Sequence, residues 1–177
     1  MIPASIDRIF PQALKTRLTE LRRGIHEHPE LAFRETETAA RLTVALHDVG
    51  VADVRPIAET GLVARVPGRN RSGAVVAIRG DIDALPIQEA TSLPYASRTA
   101  GVMHACGHDV HATWAVASAA LLVENPAVLH GHRPAPEVDD PGTEGLVPTV
   151  QGCLFHIRWS ARRGTRTPTV LPASTSS

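Results

Sequence analysis

The apolar positions along this chain follow two rhythms. Between Pro11 and about His28, Leu14, Leu18, Leu21 and Ile25 recur three or four residues apart, which places them on one face of a helix. Pro11 suits the start of such a helix, where its missing N–H costs nothing, and Pro29 stops it. From Thr36 to Asp48 the same rhythm returns through Ala39, Leu42, Leu46 and Val49, with Thr36 placed to cap the helix and Gly50 to close it. A third helix is expected from about Asp109 to Glu124, stopping before Pro126.

Between the second and third helices the rhythm shortens. "VADVRPI", "GLVARVPG" and "AVVAIRGD" are rich in Val and Ile and separated by Gly, Pro or Asn, so three strands are expected, with "PGRNRSG" as a hairpin-like turn between the last two. Helices, then strands, then a helix predict an α/β fold, helices on a mostly parallel or mixed sheet, with reactive residues at strand ends. Beyond Pro126 neither rhythm persists. Residues 126–177 hold seven of the 14 prolines, and there "TVQGCLFHIRW" alone has the composition of a strand. The expected organisation is one domain portion over 1–130 and a divergent, disordered tail over 131–177.

Charge narrows the partners. Eighteen basic and 18 acidic residues give zero formal charge, so no footprint for nucleic acid or an anionic membrane is expected. The apolar run "TWAVASAALLV" falls short of the roughly 20 residues that span a bilayer. The first residues lack a basic stretch followed by an apolar one, and two cysteines, Cys106 and Cys153, make no disulfide framework. A cytoplasmic, reducing setting is expected.

Chemistry concentrates in two places. "GVMHACGHDVHAT", from Gly101 to Thr113, packs His104, Cys106, His108, Asp109 and His111 together. Cys106 and His108, separated by Gly107, can reach one ion from a loop, and thiolate and imidazole both suit zinc or a similar metal. His108 and His111 share a helix face, while Asp109 can orient a ligand imidazole or cap the helix. In "RGDIDALPIQE", Asp81 and Asp83 leave a strand end on the same side, as ligands or as solvated caps. His26, Glu27, His28 and Glu30 read as a polar helix end.

Taken in order, "HEHPELAFRETETA", "RGDIDALPIQE" and "MHACGHDVHAT" resemble the N-terminal motifs of metal-dependent amidohydrolases that cleave N-acyl amino acids. This group includes hippurate hydrolases and indole-acetyl-amino-acid hydrolases and is related to aminoacylases and zinc carboxypeptidases. The resemblance runs from about Pro11 to Leu129 and implies the N-terminal portion of a zinc-peptidase-like catalytic domain. It implies two divalent ions (Zn, Mn, Co or Ni) that activate water and polarise the scissile carbonyl, with a glutamate base. It makes Cys106 and His108 metal ligands and gives Asp83 an orienting role, with His104, Asp109, His111 and Asp81 in support.

The family's adjacent base and ligand glutamates have no counterpart here, since no Glu-Glu pair occurs in the chain. Its dimerisation and lid domain is largely absent. The pattern breaks near Gly131, and the text beyond reads as a truncation or frameshift, so little or no amidase activity is expected. The competing expectation is a non-catalytic metal-binding fragment, with Cys153 and His156 joining Cys106 and His108 in a Cys₂His₂ site.

Overall fold

The computed structural model describes residues 10–67, 76–124 and the strand at 153–157. Helix α1 spans Gln12–Glu27, α2 Thr36–Asp48 and α3 His108–Glu124; strands β1 to β4 are Asp53–Ile57, Gly61–Val66, Val76–Gly80 and Cys153–Ile157. All three predicted helices form, and the periodic leucines do as expected. Ile25, Leu42 and Leu46 are fully buried, and Leu18, Leu21, Ala39 and Val49 pack against them.

Helix α3 is the centre of the assembly, touching both other helices and strands β2, β3 and β4. Its sequence explains that position. Ala112, Ala115, Val116, Ala117, Ala119 and Ala120 are all buried, and these small side chains let helix and sheet approach from several directions. At Gly80 the approach is closest: a Cβ there would stand 2.8 Å from the backbone oxygen of His111. The end of β3 is thereby seated on the first turn of α3.

The sheet is mixed, in the order β1-β2-β4-β3. β1 pairs antiparallel with β2, β2 parallel with β4, and β4 antiparallel with β3. Here the expected hairpin between β2 and β3 is corrected, because β4 lies between them. β2 is thereby an interior strand, with β1 on one edge and β4 on the other. Leu62, Val63, Ala64 and Val66 are buried, as in a strand covered on both faces. β4 comes from within "TVQGCLFHIRW". The other residues of the expected tail lie outside the described ones.

The start of α2 also departs from expectation. Thr36 is the first helical residue and makes no side-chain cap. Glu30 does that work from the preceding turn, its carboxylate accepting from the amides of Glu37 at 3.1 Å and Thr38 at 2.7 Å, and from the Thr38 hydroxyl at 2.7 Å. The Glu30 carbonyl also accepts from the amide of Ala84 at 2.8 Å, which ties this turn to the segment after β3.

Candidate metal centre

Two segments build the site. The first leaves β3 as Asp81-Ile82-Asp83, with Ile82 fully buried between the two part-exposed aspartates. The second turns through Cys106 and Gly107 into α3, Gly107 taking a left-handed φ of 80° that a side chain would resist. Paired backbone bonds between Leu85 and Met103, at 2.9 and 3.0 Å, hold the segments side by side.

Across that junction His108 Nδ1 stands 2.8 Å from Asp83 Oδ1 and 3.0 Å from the Asp83 carbonyl. An Nδ1–H donated to Asp83 leaves the Nε2 lone pair available, which is the arrangement in which a carboxylate orients a metal-binding imidazole. Cys106 is an exposed free thiol two positions earlier. His111 lies beside His108, ring centroids 5.6 Å apart, and continues outward to Trp114 at 6.0 Å. Asp81 turns to its own strand and pairs with Arg79 at 2.7 Å.

Asp109 and His104 face inward. Asp109 is fully buried, and its Oδ2 meets His26 Nδ1 and Arg22 Nε, each at 2.8 Å, while its Oδ1 has no partner. His26, which read as part of a polar helix end, is 5% exposed and presents its other nitrogen to Glu89 Oε1 at 3.3 Å. Glu89 also accepts from the Thr91 hydroxyl and from the Ser97 amide at 2.6 Å. Burial works to raise the Glu89 carboxyl, yet these hydrogen bonds from Thr91, Ser97 and His26 outweigh it and hold the group below its usual value. His104 lies 6.3 Å from the His26 ring, with both ring nitrogens buried and unpartnered. Burial pushes it down to about 4, against the opposing pull of Asp109 and with repulsion from His26 and His108.

Among the described residues no three His, Cys, Asp or Glu side chains converge as a group able to hold a metal. The side chains that do meet are His108 and Asp83, at 2.8 Å, and Cys106 stands two residues before His108 in the turn that enters α3. Their chemistry fits a metal: one borderline nitrogen, one soft sulfur and a carboxylate behind the ring. Cys153 and His156 lie on β4, in register with Gly80 and Ala77; their side chains fall outside the described residues. His26 and Glu89 are the residues sequence reasoning passed over. The available signal was the spacing of Arg22 and His26, one helical turn apart beside the apolar stripe.

Residues 77–134 match the model of peptidase family M20/M25/M40. The crystal structure of the Bacillus subtilis YxeP protein, a dinuclear metal-binding peptidase from the M20 family, superposes with a TM-score of 0.65 at 38% identity. It covers 82% of this chain and 35% of that one. The chain belongs to the M20 peptidase family. An N-acetylcysteine deacetylase of Bacillus subtilis is 46% identical over 134 residues, 72% of this chain and 35% of the relative. An N-acyl-L-amino acid amidohydrolase of Geobacillus stearothermophilus is 43% identical over 122 residues, 69% of this chain and 32% of the relative. This M20 chain therefore spans about a third of the length of the curated relatives it matches. The mixed sheet with helices packed on it is the α/β architecture expected for the N-terminal portion of an M20 catalytic domain.

Proposed function

We propose that this chain carries the metal-binding N-terminal part of an amidohydrolase for N-acyl amino acids, with Cys106 and His108 as ligands and Asp83 orienting His108. The observation that carries it is the 2.8 Å contact between His108 Nδ1 and Asp83 Oδ1, with the exposed Cys106 thiol two residues before His108. The relatives named for N-acyl substrates support the substrate class. A divalent ion (Zn, Mn, Co or Ni) held there would supply Lewis-acid activation of water and of the scissile carbonyl. The chain's own residues do the rest of what is visible. Asp83 fixes the His108 ring and tautomer, and the turn through Gly107 separates His108 from the exposed Cys106 by a single residue.

Two ligands and an orienting carboxylate are fewer than the three protein ligands of a catalytic zinc site. With no Glu-Glu pair in the sequence to supply the base that the family resemblance implies, a further loss of ~10²–10⁴ in rate is expected. We therefore infer that these 177 residues on their own turn over N-acyl amino acids poorly or not at all. The test is metal stoichiometry by elemental analysis, together with hydrolysis of hippurate and N-acetyl amino acids by the metal-loaded chain. Cys106→Ala and His108→Ala should each lose metal, and Cys153→Ala should keep it. Retention by the first two sinks the ligand assignment. Loss with Cys153→Ala favours the Cys₂His₂ reading, and turnover comparable to full-length relatives removes the expectation of inactivity.

A further inference from the structure

Helix α3 begins at His108, and the next residue is the buried Asp109. Its carboxylate contacts His26 at 2.8 Å, and the far nitrogen of the same ring faces Glu89 at 3.3 Å. Glu89 stands on the loop that carries Asp83. The contacts close a circuit: from Asp83 along its loop to Glu89, across His26 to Asp109, back one residue to His108, and from His108 to Asp83 at 2.8 Å. Within that circuit only His26 comes from elsewhere, from helix α1.

We propose that His26 is a positioning residue for His108. By spanning Glu89 and Asp109 with its two nitrogens, the ring sets how far the Asp83 loop stands from the first turn of α3. That separation aims His108 Nε2. The inference deepens the metal-binding reading and rests on it for the identity of the ligand.

Packing alone would not call for this residue. Apolar side chains of similar size in place of all three of His26, Glu89 and Asp109 would fill the same space without desolvating two carboxylates, and buried ionic clusters often stabilise less than such whole replacements. What the ring adds is direction. Hydrogen bonds weaken steeply with distance and angle, so a ring bonded on both sides fixes a spacing that apolar contact leaves loose. The Leu85–Met103 backbone pair joins the same segments but does not engage the start of α3. Arg22, on the same helix as His26, shares Asp109 and holds its carboxylate from a second direction.

The test uses the full chain as wild type, His26→Gln and Glu89→Asp, the last shortening the acid so that it withdraws from the ring. Two readouts are taken. The metal-free protein is labelled with ¹⁵N in its histidine rings, and the His108 signals, assigned with His108→Ala, report its tautomer and its bond to Asp83. Zinc affinity is then measured by competition with a chromophoric chelator. In wild type His108 should show one tautomer, protonated at Nδ1. In both variants that signature should average out, and zinc affinity should fall ~10–100-fold, the usual loss when a partner behind a ligand is removed. A variant that melts at lower temperature but keeps the wild-type His108 signature and zinc affinity overturns the proposal, because His26 would then be structural only. If His26→Gln does not fold, Glu89→Asp decides by the same criterion. A wild type that binds no zinc overturns the metal reading, while the metal-free spectra still decide whether His26 positions His108.

Discussion

The two sides of the Asp83–His108 contact are built on opposite plans. Behind it, towards α1, the side chains of His26, Glu89 and Asp109 are 6%, 2% and 0% exposed, and each is bonded to another of the three. In front of it, Cys106 and His111 lie open to solvent, and the side chain of His108 is 20% exposed. The rear sacrifices solvation for fixed directions, since the buried atoms that pair there depend on their partners, while Asp109 Oδ1 has none. The front keeps its donors accessible and bonds few of them. Holding the His108 ring still while leaving its outer edge open to solvent takes both plans, one at each end of the same residue.

Breaking the rear should have the largest effect. Asp109→Ala leaves His26 and Arg22 without their shared carboxylate in a dry setting, where removing one partner of a buried pair costs about 3–5 kcal/mol. Denaturant unfolding of wild type and variant measures this, and a loss under about 1 kcal/mol would show that the two sides do not differ in kind.

Acid should loosen the rear by a smaller amount, because protonated Glu89 can still hydrogen-bond. Glu89 is held below its ordinary value in the folded state, so folding favours its ionised form. Its contribution is complete above the unfolded carboxyl range and is lost as pH falls through the folded value. Thermal midpoints from about pH 7 down to about pH 3 should therefore converge between wild type and Glu89→Gln. A gap that stays constant over that range would mean the carboxylate charge contributes nothing.

Changing the front should have the smallest effect on stability. Cys106→Ser alters an exposed side chain in a turn and should shift unfolding by less than about 0.5 kcal/mol, whatever it does to metal binding. A larger shift would show that the open edge is also part of the framework.

Much of the scaffold was legible because burial leaves a period. Leu42 and Leu46 announce α2, and the run of Val and Ile announces β1 to β3. The order of the strands was not legible. Nothing local to "CLFHI" says which two strands it separates, although the nearly continuous burial of β2 fits a strand in the interior of the fold. The Asp83–His108 pairing was reachable only through the resemblance, since the two residues are far apart in sequence. His26 and Glu89 were hidden for a related reason. A histidine beside an apolar stripe and a glutamate in a proline-flanked loop look like surface residues until the fold brings them together. Asp109 was named for its motif, but its partners lie on α1, where neither ligand orientation nor capping would have directed attention.

One further consequence follows from the place of β4. β1 and β2 are near neighbours in sequence and can pair as soon as Val66 has been synthesised. β3 finds its partner only in β4, so among the described strands it waits until Ile157 has been added. The sheet is thus assembled from one edge and completed in its middle. Closing so long a stretch of chain costs entropy that grows only slowly with its length, but pairings this distant in sequence delay folding. During that interval the edges of β2 and β3 stand open as templates for other chains, which makes elongation time and chaperone cover matter more here than in a sheet built from successive hairpins.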